Sequence, residues 1–271
     1  MRGVIKKINP NINNSSLVKK ISVFDETGKA TKTFAIVEKP ISIYLNDTHV
    51  VTAMTIGDYP EYLALGFLAN QNIISFSEQE MPLIEYHEDI ETVVVRTEKK
   101  TNFEILEKKK IKTSGCANGT IFGNLLENFE KYKILNSSLI TKEQIFKLYK
   151  KVNLLPSLYL KSGAIHGCLL CDTENPLAFF EDVGRHNAID KLAGFMIKEK
   201  ILPHDKILYT TGRLTSEMVI KAVMMKLPII ASRSGYTAWG VDLARKSNIT
   251  MIGRLRGRTF TVLSGKERIR I

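Results

Sequence analysis

The apolar positions of this chain change their period part-way along it. Over the first hundred residues they form short runs at strand spacing: "KTFAIVEK", "PISIYLND" and, after a turn at Asn46-Asp47, "THVVTAMTI". Asp58 and Glu61 are spaced as a capping box ahead of a helix through Tyr62, Leu65 and Leu68. "ETVVVRTEKK" and "TNFEILEKKK" predict a hairpin about Lys100-Thr101, and the polar residues 1–20 predict little order. Together these elements predict a small α+β N-terminal domain over residues 1–110.

Beyond it, Ile121, Phe122, Leu125, Leu126 and Phe129 recur on one helical face, and Thr141 with Gln144 marks a second helix start. From residue 157 strands and helices alternate. "LAFFEDVG" leads to a helix carrying Ile189, Leu192, Ala193, Met196 and Ile197 inward. "KILYT" leads to one through Met218, Ala222 and Met225, and "LPIIAS" to one over Thr237–Lys246; "ITMIGR" and "RTFTVLS" follow. This alternation predicts crossover units on a largely parallel sheet, an α/β domain over residues 111–271.

Composition adds a direction. With 39 basic and 28 acidic residues the net charge is +11, which favours polyanionic partners or phosphorylated ligands. The basic residues gather at strand ends rather than along a helix, and no recognition motif accompanies them, so nucleic acid is not the expected partner. Three cysteines argue against a disulfide scaffold and for a reducing compartment. No signal core or long apolar stretch stands in the sequence, so a cytoplasmic protein without a membrane span is expected.

In open α/β sheets ligands bind beyond the carboxyl ends of the strands. Those ends read "EDVGRHN", "TTGRLTS", "SRSGYT" and "GRLRGRT", each with a glycine and an arginine. Three of them lead into helix N-termini, where backbone amides favour anions. Glycine lets a ligand approach the backbone, and the guanidinium fork matches phosphate. A phosphorylated, nucleotide-bearing ligand follows from the joint pattern. Arg254, Arg256 and Arg258 alternate at strand spacing, which would gather their charge on one side. His186 is a candidate for ligand contact or proton movement. Glu181-Asp182 either cap the next helix or receive donors from a ligand edge.

Cys116, in "TSGCANGT", precedes a predicted helix near Lys112, a setting that stabilises a thiolate. Cys168 and Cys171 form a C-x-x-C beside His166, but four ligands at metal spacing are not evident. The flanking leucines suggest two small fillers in a buried strand.

The strings "FFEDVGRHNAIDKLAG", "TTGRLTSEMVIKAVMMKLPIIASRSGYTAWGVDLA" and "ITMIGRLRGRTFTVLSG", with "EKPISIYLND" and "GDYPEYLALGFLANQNII", resemble the FdhD family of formate dehydrogenase accessory sulfurtransferases. The resemblance implies a cytidine-deaminase-like, three-layer α/β C-terminal domain and a homodimer. It implies that Cys116 accepts persulfide sulfur from a cysteine desulfurase. The sulfur then passes to the molybdenum bis(molybdopterin guanine dinucleotide) cofactor, held as a bound substrate through its guanine nucleotide moiety, before insertion into formate dehydrogenase. The family's loop carries C-x-x-C; here the second position is Gly119, so one loop cysteine must suffice. By the same likeness Arg254, Leu255, Arg256, Gly257, Arg258 and Thr259 form the cofactor-binding segment, with Gly184, Arg185, His186, Gly212 and Arg213 as further contacts.

Two other readings stand beside this one. A molybdenum-cofactor chaperone would bind the cofactor without transferring sulfur. A zinc deaminase would follow from the fold alone, but the chain has no H-x-E with a P-C-x-x-C.

Overall fold

The computed structural model describes residues 7–74, 81–98, 129–135 and 138–271. The N-terminal half begins with a ribbon of β1 (Val18–Phe24) and β2 (Ala30–Ile36). Then come β3 (Lys39–Leu45), β4 (Thr48–Thr55), helix α1 (Pro60–Asn70), β5 (Leu83–His87) and β6 (Thr92–Arg96). Strands β4-β3-β6-β5 form one sheet in that order. Asn46 takes φ +54° at the predicted β3–β4 turn, a conformation asparagine tolerates.

Three expectations fail here. Both edges of β6 are taken, by β3 and β5, so Thr92–Arg96 does not pair as the first arm of the predicted hairpin; its second arm lies within residues 99–128, outside the described residues. The Asp58/Glu61 capping box does not form: Tyr59 caps α1 in a left-handed conformation, and Asp58 is drawn instead to buried Lys191. The N-terminal segment is also more ordered than its polarity suggests. Phe179 N donates to Ile8 O at 2.9 Å, and Leu17 is buried with Ile56, Leu158 and Ile165.

The second half runs β7 (Ile140–Thr141), α2 (Lys142–Asn153), α3 (Tyr159–Ser162), β8 (His166–Cys171), β9 (Pro176–Asp182), α4 (Arg185–Lys198) and β10 (Ile207–Thr210). It continues with α5 (Ser216–Met224), β11 (Ile229–Ser232), α6 (Ala238–Lys246), β12 (Thr250–Arg256), β13 (Thr259–Ser264) and β14 (Ile269–Arg270). The predicted start of α2 holds: Thr141 and Gln144 close a reciprocal capping box.

Six strands join in the order β13-β12-β11-β10-β8-β9. The sheet is mixed rather than largely parallel. Only β10–β11 and β11–β12 are parallel, while β8–β9, β10–β8 and β12–β13 are antiparallel. The turns between β8 and β9 and between β12 and β13 are too short for a crossover.

Alternation along the strands divides the core. Cys168 and Leu170 of β8 face the side covered by α4, α5 and α6, whereas Leu169 and Cys171 face the side covered by α2. The result is three layers. Helix α1 is buried on nearly every side because it lies between the first sheet and α4.

Candidate functional site: a cationic rim on the six-stranded sheet

Strand directions bring the carboxyl ends of β9, β10, β11 and β12 to one edge, with the amino end of β8 between β9 and β10. The four arginine-glycine loops therefore share one rim, and hydrogen bonds tie those after β10, β11 and β12 to one another and to β8. Thr211 N donates to Gly167 O and Gly167 N to Thr211 Oγ1, each at 2.9 Å. Ser232 Oγ donates to Gly212 O at 2.7 Å, Leu214 N to Gly235 O at 2.9 Å and Arg254 N to Ser234 O at 3.0 Å. Arg256 Nε donates to Arg233 O at 3.1 Å.

Close approach explains two of the glycines. A Cβ on Gly212 would lie 3.1 Å from Arg185 Cβ, and one on Gly253 would lie 2.6 Å from the Tyr236 ring. Arg254 covers that same ring at 5.4 Å, and Arg233 covers Tyr159 at 5.2 Å. Such stacking holds a guanidinium in place with its edge open to a ligand.

The segment 254–259 is not a regular strand. A register shift lies between Gly253 and Arg256, with Arg254 at φ +52° and Gly257 at φ +57°. Arg254, Arg256, Arg258 and Thr259 are exposed. Leu255 is buried in the core under α2, so only its backbone can reach the rim.

Of the remaining candidates, Arg213 is exposed and Arg185 is half-buried against Gly212. Gly184 N donates to Asp182 Oδ1 at 3.2 Å. His186 is buried in the first turn of α4, with Nε2 2.8 Å from Glu217 Oε2. Burial pushes its pKa below the usual imidazole value, and Glu217 opposes that. Its role in the fold is thus a link between α4 and α5, repeated one turn on by Asp190 and Lys221 at 2.6 Å.

Glu181 and Asp182 are both committed internally. Glu181 accepts from Ser157 Oγ at 2.5 Å and Leu158 N at 2.7 Å at the start of α3. Asp182 Oδ2 lies 2.5 Å from Lys191 Nζ, which also meets Asp58 at 2.5 Å and donates to Glu181 O at 3.3 Å, and Thr55 Oγ1 donates to Asp182 Oδ2. This cluster joins the β9–α4 loop to the end of β4 and the start of α1. Sequence reading missed it, although Asp190-Lys191 standing inside an apolar helical stripe was a signal.

His166, the first residue of β8, stands on the rim between the carboxyl ends of β9 and β10. Burial, then the positive charges of Arg185, Arg213, His186 and Arg233, hold its pKa below the ordinary value. Two buried hydroxyls near the rim, Tyr209 Oη and Thr215 Oγ1, have no hydrogen-bond partner among the described residues.

Cys168 and Cys171 are fully buried and point to opposite faces of the sheet, so they cannot join in one metal site or one disulfide. Burial pushes the Cys168 thiol up to about 12 and raises Cys171 as well. Cys116 lies outside the described residues. Among those residues no group of three or more His, Cys, Asp or Glu side chains is arranged to hold a metal ion, and no helix is long and apolar enough to cross a membrane.

At the other end of the helices a cavity of about 880 Å³ opens among the carboxyl ends of α1, α4 and α5. Its walls include Met196, Ile201, Met225, Lys200 and Lys226, and residues 131–135, just after the segment that carries Cys116, line it as well.

The model of the FdhD/NarQ family matches residues 36–270. A sulfur carrier protein FdhD of Bacillus pumilus is 30% identical over 260 residues, covering 94% of this chain and 99% of that protein. Its counterpart in Bacillus subtilis is 31% identical over 240 residues, covering 87% and 90%. A solved structure from Desulfotalea psychrophila, described as a candidate formate dehydrogenase accessory protein, aligns with TM-score 0.75 and 26% identity over 93% of this chain and 98% of that one.

Proposed function

Because the chain belongs to the FdhD/NarQ family, we propose that it is a sulfur carrier that supports formate dehydrogenase, with Cys116 as the carrier thiol. The observation that carries this choice is the burial of the other two cysteines. Cys168 and Cys171 are sealed in the sheet with thiols held protonated, and a thiol without access or thiolate character does not exchange sulfur.

The Cys116 thiolate attacks the outer sulfur of a cysteine desulfurase persulfide. The S–S bond to the desulfurase breaks, its thiolate leaves, and Cys116 keeps the outer sulfur. The acceptor is the molybdenum bis(molybdopterin guanine dinucleotide) cofactor, bound as substrate before it enters formate dehydrogenase. Release of the sulfur as sulfide takes two electrons. With glycine at position 119, these come from an external thiol pair that leaves as a disulfide.

The rim supplies what the guanine dinucleotide needs: arginines on four loops and glycines that admit a close backbone. The three-layer arrangement supports a cytidine-deaminase-like description of this half.

The test is incubation with a cysteine desulfurase and cysteine, followed by mass spectrometry of the intact protein. A gain of one sulfur on the wild type that is absent from Cys116→Ala is expected. Equal sulfur uptake by Cys116→Ala would remove Cys116 from the role.

A further inference from the structure

The β9–α4 and β10–α5 loops meet over the first residue of β8, and that residue is a histidine. His166 pairs in register with Asp182 on one side, and its neighbour Gly167 is hydrogen-bonded to Thr211 on the other. Arg185 lies against Gly212, the next residue along. His166 is half-buried there.

The charged groups that act on it come from three loops. Arg185 and His186 belong to the start of α4, Arg213 to the loop after β10, and Arg233 to the loop after β11. All of them are basic. The two carboxylates on the adjacent strand end are engaged elsewhere, Glu181 with Ser157 and Leu158, and Asp182 with Lys191 and Thr55. With its register partner Asp182 already engaged by Lys191 and Thr55, an imidazole close to these guanidinium groups is held towards its neutral form. A dianion placed among the same guanidinium groups reverses the balance, because its charge favours the imidazolium and gives it an acceptor.

We propose that His166 is a proton-linked contact of the rim: a phosphate or pyrophosphate group seated among Arg185, Arg213 and Arg233 draws one proton onto its ring. This rests on the reading of the rim as a nucleotide site and adds its regulation. Ligand binding and proton uptake are one event, so acidification tightens the grip and alkalinisation loosens it. The direction of linkage follows from mass action, since the protonated form binds the dianion better and binding must therefore raise proton affinity.

The experiment is isothermal calorimetry of the full chain with diguanosine pyrophosphate, a diester whose phosphates do not titrate near neutrality. Titrations at about pH 6 and about pH 8, each in two buffers of different ionisation enthalpy, give affinity and protons taken up together. Affinity is expected to rise towards the lower pH, by up to about tenfold for each unit by which binding raises the ring's pKa, with net proton uptake on binding that exceeds zero and differs between the two pH values. His166→Asn and His166→Gln should bind with affinity independent of pH and take up no proton, while melting near the wild-type temperature. Binding by wild type with flat affinity and no proton uptake would overturn the proposal and leave the nucleotide site standing. Retention of the proton linkage by both variants would also overturn it. Absence of binding at either pH would remove the site and the proposal together.

Discussion

A Cβ placed on Gly66 of α1 would lie 2.6 Å from the amide nitrogen of Gly194 on α4, and 1.8 Å from the carbonyl oxygen of Asp190. The reciprocal contact is as tight, since a Cβ on Gly194 would lie 2.0 Å from Tyr62 O. Neither obstacle is a side-chain end that can rotate away. The two helices approach so closely only because both positions lack side chains. This crossing joins the first sheet's helix to the helix whose first turn lies on the rim.

Gly66→Ala or Gly194→Ala should therefore force the helices apart. Overpacking of this kind typically costs about 1–3 kcal/mol, and the double substitution more. Thermal denaturation followed by circular dichroism reads the effect, and an unchanged midpoint in both single variants would contradict the crossing.

Lys191 is fully buried between Asp58 and Asp182. Burial alone would lower its pKa, but the two carboxylates outweigh that and raise it. Lys191→Met leaves buried Asp182 without its counter-ion, a loss of about 3–5 kcal/mol for a broken buried pair. Urea unfolding measures it. Restoring balance with Asp182→Asn in the same chain should recover part of the loss.

The His186–Glu217 link sets a pH dependence. The folded pKa of His186 lies below its ordinary value, so the unfolded chain takes the proton more readily. Its stabilising share is complete above the ordinary imidazole value of about 6.5 and is lost as pH falls through the folded value. Melting temperatures should decline between about pH 7 and about pH 5, and less steeply in His186→Gln.

Arg213 is exposed on the rim, so its loss should spare the fold. On the proposed nucleotide site, replacing it with Gln would remove one charge-assisted contact to phosphate, worth about 1.5–3 kcal/mol. Affinity for a guanine nucleotide should drop at least tenfold, with the melting temperature unchanged. Weak salt dependence of the wild-type affinity would argue against the same contact.

Alkylation separates the cysteines. Iodoacetamide at neutral pH should leave Cys168 and Cys171 unmodified in the native protein, because both thiols are buried and protonated. Peptide mapping after denaturation should show both sites reacting. Cys168→Ala should still accept sulfur.

The helices and strands from β9 to β13 were legible in the sequence because their periods are local: apolar residues at helical spacing, short β-branched runs, and a glycine-arginine turn at each strand end. The rule that ligands gather at carboxyl ends places these four loops on one rim from the sequence alone. The C-x-x-C was also readable, since residues three apart on a strand face opposite ways. Cys116 stood out by its loop composition alone.

What the tertiary structure decided depends on partners far apart in the chain. Sheet order places β8 between β9 and β10, and this brings His166 into the rim. Polarity predicted that Asp58 would cap a helix and that Glu181 and Asp182 would either cap the next helix or meet a ligand. Instead Asp58 and Asp182 clasp Lys191, while Glu181 holds the start of α3. A buried charge takes the strongest counter-charge within reach, and reach is set by long-range packing that local spacing does not encode. Local pattern therefore determined the elements and the composition of their loops. Only the packed sheet and helices determined which polar side chains remain for a ligand, because burial had already claimed the rest.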